Sequence, residues 1–266
     1  MSRSGKLYMA WCWLFITVPI LVVCGSALNG GRSMLFPPKD PTLARFAEFF
    51  EKGSVWVESL QNSLLIAFFS ASLAVCVAWP IAYRLWKSRN RFSVFLSSVA
   101  SLPFVLPPIV FGVGLSFFWV YLGLLGSFWV GVVSHAILHL ALPLVTISIG
   151  LNSIDRSHLD AAATMGATEP VILRTLVIPQ TIPYTLSGFL FAVILSFNEF
   201  IVMFFVSASS YSTVTLQIFN SLRNGFTPTM AVAAIVFILS SIVLFGIIGR
   251  MGDLPNLMGA QKSGAK

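Results

Sequence analysis

Residues 151–179 read Leu151-Asn-Ser-Ile-Asp155-Arg-Ser-His-Leu-Asp160-Ala-Ala-Ala-Thr-Met165-Gly166-Ala-Thr-Glu-Pro170-Val-Ile-Leu-Arg174-Thr-Leu-Val-Ile-Pro179. A helix is expected to begin near Ser157, because serine caps helices and Asp160 follows three residues later. Gly166 reads as that helix's end, with a turn after it. Pro170 suits the first turn of a second helix. The segment is therefore a polar helix–Gly–helix element within a loop of about 151–182. What surrounds it is very different.

Upstream, Phe92 to Ile154 contains no Lys, Arg, Asp or Glu across 63 residues. A single crossing of a bilayer uses only about 20 residues. The run therefore holds two spans, with Gly123–Gly126 as the turn between them. Thr175 to Asn198 supplies another span, extended by apolar residues past Glu199, and Thr229 to Ile248 the last. Before them come Leu60 to Tyr83 and Tyr8 to Leu28. Six spans follow, in an all-α integral membrane protein. The chain as a whole is 57% hydrophobic and 9% charged. A soluble domain is typically about 45–50% apolar and about 25% charged. Disorder, collagen and an ordinary cytosolic enzyme are excluded.

Arg3 and Lys6 before the first apolar run resemble a signal peptide's start, and Gly25, Ser26 and Ala27 are small. The run is nevertheless long for a signal core, and Val23 spoils a lipoprotein box before Cys24, so an uncleaved span is expected. An even number of spans places both ends on one side. Of the 16 Lys and Arg residues, eleven fall on the side holding the ends, four of them in the short loop Arg84–Arg91. The other side has Arg32, Lys39, Arg45, Lys52 and Arg223. The first side is cytoplasmic by the basic-residue rule. This distribution also explains the net charge of +7 without a nucleic-acid partner.

The expected layout is a cytoplasmic N-terminus at 1–7, a first span at 8–28 and a periplasmic loop at 29–59. A five-helix core follows at 60–249, and a cytoplasmic tail at 250–266. Leu43, Phe46, Ala47 and Phe50 recur at helical spacing, so 41–53 is expected to form a short amphipathic helix on the outer membrane surface or on a partner subunit. Cys12, Cys24 and Cys76 have no CxxC spacing and are expected as small buried hydrophobes, neither disulfide-bonded nor metal-binding.

Polar and kinked positions inside the spans are the candidate functional residues. Pro103, Pro107 and Pro108 interrupt the third span, and Pro143 the fourth. Each proline removes a backbone donor, either for packing or at a pathway. His135 and His139 share a helix face. Without an acidic third ligand, the expectation is hydrogen bonding between helices, with no metal site. Glu199, in Ser196-Phe197-Asn198-Glu199-Phe200, is the only acid in a span. A carboxylate at mid-membrane costs at least about 2.5–3.5 kcal/mol. It is read as a cation-attracting pathway position; the alternative is a structural acid, bonded to a neighbouring helix or near the end of its own. There are no paired intramembrane carboxylates and no nucleophile–base set, so no catalytic residue is assigned.

The 151–179 element resembles the EAA loop of binding-protein-dependent ABC importer permeases of the MetI-like type I family. Asp160-Ala161-Ala162 stands for Glu-Ala-Ala, Gly166 keeps the interval, and Leu176-Val-Ile-Pro179 closes the pattern. Asp replaces Glu, and Ile178 replaces the Leu before Pro. The resemblance runs from about Ser59 to Gly249. It is similar in flavour to the second permease of spermidine/putrescine-type importers through Leu195–Phe200, Ser209–Phe219 and Asn224–Pro228. Related permeases often carry acids at the positions of both Asn198 and Glu199; here only Glu199 is acidic. The same subfamily serves opines, aminoethylphosphonate and other small amino compounds.

The resemblance implies a permease that is not itself an enzyme. Asp160, Ala161, Ala162, Met165, Gly166 and Pro179 would couple to an ABC ATPase homodimer that binds ATP and Mg. The chain itself has no Gly-x-x-x-x-Gly-Lys-Ser/Thr loop. Phe197, Asn198 and Glu199 would line the substrate pathway. A second permease, a different chain, and a periplasmic or extracellular solute-binding protein would complete an assembly in the bacterial cytoplasmic (inner) membrane. The competing readings are an ion-gradient-driven secondary transporter using Glu199, and a membrane enzyme or scaffold.

Overall fold

In the computed structural model, residues 3–31, 33–207 and 210–251 are described. The tail beyond 251, the first two residues of the chain, Arg32, Ala208 and Ser209 lie outside the described residues. Helices dominate, and the strand-like pairing among the described residues is an isolated bridge between Asn29 and Pro41. By contacts the chain divides into two units. One comprises the N-terminal residues to Asn62 together with Ser212–Ile242; the other is Ser63–Tyr211 with the residues from Val243 on.

In the first unit, α1 (Arg3–Ser26) is one uninterrupted helix. Its apolar window buries nothing inside the chain. Such a surface is stable only in lipid or against another subunit. The segment expected to lie on the membrane surface is different. Its helix is short, α2 (Ala44–Phe49), and it is tied into the protein. Phe49 is fully buried and stacks on Trp56 with ring centroids 6.1 Å apart. Phe46 packs on the same cluster, which includes Ala27, Met230 and Val232. The Arg45 guanidinium donates to the carbonyls of Gly30 (2.6 Å) and Gly31 (3.2 Å). It also pairs with Glu48 at 2.8 Å. Periodicity located a helix here but missed Phe49 as its anchor. Helix α12 (Val214–Asn224), capped by Thr213, belongs to this unit too.

Two helices run through the division between units: α3 (Val55–Lys87) and α13 (Pro228–Met251). In the second unit, α3 presents a ridge of buried alanines, Ala71, Ala74, Ala78 and Ala82, each about 1% exposed or less. Their spacing follows one helix face. Small side chains let helices approach closely where lipid offers no hydrophobic drive between them. The loop Ser88–Asn90 leads into α4 (Arg91–Val105), opened by a capping box between Asn90 and Ser93.

The third span is broken. One span was expected here, with its prolines either kinking it for packing or breaking it at a pathway. In the structure α4 and α5 (Pro108–Tyr121) meet at 108°. Pro103 stays inside α4. The break comes at Leu106 and Pro107, both extended, and Pro108 then starts α5. A residue before proline avoids helical backbone, and proline at a first helical position needs no donor, so the Pro-Pro pair stops one helix and starts the next. The fourth span, α6 (Phe128–His139) and α7 (Ala141–Asn152), bends by 48°. Pro143 explains it, since its missing N–H leaves the His139 carbonyl without its helical donor. The turn before α6 contains Gly123 and Gly126 at positive φ, where the sequence places it.

After α7 come α8 (Arg156–Thr164), α9 (Glu169–Ile172), a π-helical turn at Leu173–Val177 and α10 (Ile178–Asn198). The last three form one continuous helix, Glu169–Asn198. The expected loop of 151–182 is thus much shorter in fact. It ends at Glu169, and Pro179 lies inside a helix. The π turn directly precedes Pro179, and such a turn relieves the clash a proline makes with the carbonyl four residues back. α10 then packs on α7 at Gly188, where an added Cβ would sit 2.8 Å from Pro143 Cα. A short α11 (Ile201–Val206) follows. Among the described residues, four helices are long and apolar enough to cross a membrane individually, and up to six spans result if each bent pair counts as one.

The cysteines correct the sequence reading. Cys12 and Cys24 are half-buried and Cys76 is exposed. Small apolar side chains are as stable facing lipid as facing a core, so an apolar run does not imply burial inside the chain.

Candidate coupling loop and pathway break

The helix in the 151–179 loop is capped two residues earlier than expected. Asp155, not Ser157, is the cap, and its carboxylate accepts from the Ser157 backbone N–H at 2.9 Å. That backbone bond, helped by the Ser157 side chain, holds the Asp155 carboxyl below the usual carboxylate range. A group with its folded pKa depressed contributes stability above its unfolded pKa and loses it as pH falls through the folded one. The cap is therefore intact through the neutral range.

At the other end the Gly166 N–H donates to Ala163 O at 2.9 Å and the Ala167 N–H to Ala162 O at 3.0 Å. This pair of bonds is a Schellman motif, which requires a left-handed residue between them. Gly166 supplies it with φ +84°, and nothing lies within 4 Å of where its Cβ would be. The glycine is needed for backbone conformation, not for space.

No residue of α8 is buried. Asp160 and Ala161 are exposed, Ala162 is half-exposed, and Met165 is 82% exposed. An apolar Met at the tip of a polar, doubly capped helix is a surface ready for a partner protein. Leu159 on the opposite face packs onto the core of Ala78, Ile81, Leu151 and Val177. Lys87, at the end of α3, forms an ion pair with Glu169. That pair bridges a cleft of about 240 Å³ between Tyr83, Trp86, Asp160 and Ile172. Sequence reading did not foresee the bridge, because it joins residues 82 apart in the chain.

The structure separates the three candidate pathway residues. Phe197 is 1% exposed. Asn198 is exposed, its amide donating back to Ile194 O at 2.8 Å. Glu199 is the C-cap of α10, in extended conformation, and is half-buried. Its Oε1 accepts from the Val202 N–H at 2.7 Å. The acid thus sits at a break between helices, where it satisfies the start of α11. This is the structural-acid arrangement, at the end of its own helix.

Behind the break, His135 is completely buried and its Nδ1 lies 2.7 Å from Ser196 Oγ. Ser70 Oγ donates to Ser196 Oγ at 3.0 Å. Helices α3, α6 and α10 are joined there, the interhelical use expected of this histidine. His139 stands beside it, ring centroids 5.9 Å apart, with both nitrogens unpartnered among the described residues. No group of three or more His, Cys, Asp and Glu side chains is arranged for a metal among the described residues. Trp119 Nε1 donates to Ser134 Oγ at 3.0 Å, tying α5 to α6.

Comparisons with known proteins agree with this architecture. The fold is similar to the MetNI methionine ABC transporter in inward-facing form, with TM-score 0.65 and 14% identity over 78% of this chain and 97% of that one. It is equally similar to a bacterial ABC transporter that imports alginate, with TM-score 0.64 and 20% identity over 94% and 98% of the two chains. In sequence, the chain is 30% identical over 254 residues to the spermidine/putrescine transport system permease protein PotC of Haemophilus influenzae, covering 94% of this chain and 97% of that one. It is 25% identical over 253 residues to the putative 2-aminoethylphosphonate transport system permease protein PhnV of Salmonella typhimurium, covering 94% of each. The fold and the loop define a multi-pass permease subunit of a type I ABC importer, which is not an enzyme. Residues 70–252 match the binding-protein-dependent transport system inner membrane component, and the chain belongs to that family. The ion-driven transporter and the membrane enzyme are not favoured.

Proposed function

We propose that this chain forms half of the pathway for a small amino-containing solute, a polyamine such as spermidine or putrescine, across the bacterial inner membrane. Similarity to PotC over nearly the whole of both chains carries this reading. Asp160, Ala161, Ala162, Met165, Gly166 and Pro179 couple the membrane helices to a separate ABC ATPase homodimer, which binds ATP and Mg. The exposed tip at Met165 enters the ATPase surface, and Lys87–Glu169 carries its movement to α3. A second permease, a different chain, completes the pathway, and a solute-binding protein delivers substrate from outside.

Phe197, Asn198 and Glu199 belong to the pathway in this reading. A helix break at membrane depth is tolerated where it lines a cavity or is buried in protein, and transporters place substrate at such breaks. The charge of Glu199 suits an ammonium group. The similarity to PhnV supports the alternative reading, an aminophosphonate in place of the polyamine.

The test is uptake of labelled putrescine, spermidine and 2-aminoethylphosphonate by cells lacking their own systems and supplied with this chain and its companion subunits. ATP-dependent accumulation of a polyamine, unaffected by excess aminophosphonate, is expected. Accumulation of aminophosphonate alone reassigns the substrate.

A further inference from the structure

Next to the coupling loop lies a second cavity, of about 520 Å³, which the transport reading does not use. Arg89, Ser97, Ser98, Ser148, Asn152 and Arg156 supply its polar wall. No carboxylate lines it. Arg156 also lines the adjoining cleft with Asp160 and Glu169, and there Glu169 is paired with Lys87. Neither Arg89 nor Arg156 has an ion-pair partner among the described residues. Two guanidinium groups, with the hydroxyls of Ser97 and Ser98 on the same wall, are complementary to a phosphate diester: a singly negative group with several acceptor oxygens.

Arg156 is placed against its own helix's interest. It is the first residue of α8, where the helix dipole disfavours a cation and favours an anion.

The rest of the surroundings is apolar. Val94 lines the cavity. From there α4 carries Phe95, Val99 and Leu102 at i, i+4, i+7, exposed by 64%, 47% and 55%. A free phosphate has no use for such a stripe, whereas acyl chains do. The cavity also lies at the end of the bundle rich in arginine and lysine, where anionic headgroups attract basic pockets.

We propose that this cavity is a binding site for an anionic phospholipid, with the phosphodiester held by Arg89 and Arg156 and the acyl chains along Phe95, Val99 and Leu102. The site rests on the membrane assignment and is independent of the substrate, so its failure leaves the transport reading intact.

The test is native mass spectrometry of the protein, with whatever subunits copurify, titrated with phosphatidylglycerol, phosphatidylcholine and inorganic phosphate. Phosphatidylglycerol is expected to bind more tightly than phosphatidylcholine, and millimolar phosphate not to displace it. In Arg89→Gln/Arg156→Gln its affinity falls about thirtyfold, which is about 2 kcal/mol at 1.4 kcal/mol per tenfold. Arg91→Gln, at the same end but outside the cavity wall, stays within about twofold of the unsubstituted protein if the effect is local rather than from net charge. Equal binding of the two lipids, or an unchanged affinity in the double variant, overturns the proposal. Displacement by phosphate overturns the lipid assignment in favour of a free anion. Should the double variant not assemble, the lipid selectivity of the unsubstituted protein decides alone.

Discussion

At the scale of single residues, Glu199 has a structural role in the fold, and the proposed transport role is added to it. Its Oε1 accepts from Val202 N–H and so starts α11. A glutamine can accept the same bond but carries no charge. Glu199→Gln is therefore expected to leave the amount of folded protein unchanged and to raise the KM for a cationic solute about tenfold, the effect of roughly 1.4 kcal/mol. Initial-rate uptake against solute concentration measures it. An unchanged KM removes Glu199 from the pathway and leaves it as a cap. Only part of this was legible in the sequence. An acid in an apolar run announces itself by its cost, but its partner is a backbone N–H three residues away. Whether the helix continues past Glu199 or breaks there depends on packing that periodicity does not encode.

Among the helices, the α7–α10 contact depends on Gly188, whose Cα faces Thr146 and Pro143 with no room for a Cβ. The backbone of Pro143 cannot swing aside as a flexible side chain does. Gly188→Ala should cost about 1–3 kcal/mol by overpacking, lowering the thermal stability of the detergent-solubilised protein. A melting temperature equal to that of the unsubstituted protein means that the helices do not approach as closely as the structure has them. The proline signals illustrate what sequence can and cannot give at this scale. Pro143 produced the kink expected of a single proline. Pro107–Pro108 produced a turn of 108° instead, because two successive prolines both end a helix and begin another. Pro179 broke nothing, since the π turn before it absorbs the clash. The residue type sets the local conflict, and the neighbouring backbone decides how it is resolved.

For the whole molecule, the helical membrane architecture was written in composition, because 63 uncharged residues in succession have no soluble solution. The helix–Gly–helix element proposed for coupling was legible as local structure, because Gly166 answers a backbone requirement that no packing partner is needed to explain. The bridge Lys87–Glu169 and the paired arginines of the second cavity were not, since each joins residues remote in sequence. The separation of Leu159, turned to the core, from Met165, turned outward, gives α8 a held face and a free one. A coupling helix needs both.

The central claim is that this free face energises transport through a separate ATPase. Its most direct test is affinity purification of the tagged chain in mild detergent, for the unsubstituted protein and for Gly166→Val, with the partners identified by mass spectrometry. A β-branched residue resists the positive φ of the Schellman turn. The account predicts that an ATPase bearing a phosphate loop and a second permease accompany the unsubstituted chain, and that Gly166→Val inserts normally yet loses the ATPase. Recovery of the functional unsubstituted chain alone, or full retention of ATPase and uptake in Gly166→Val, contradicts it.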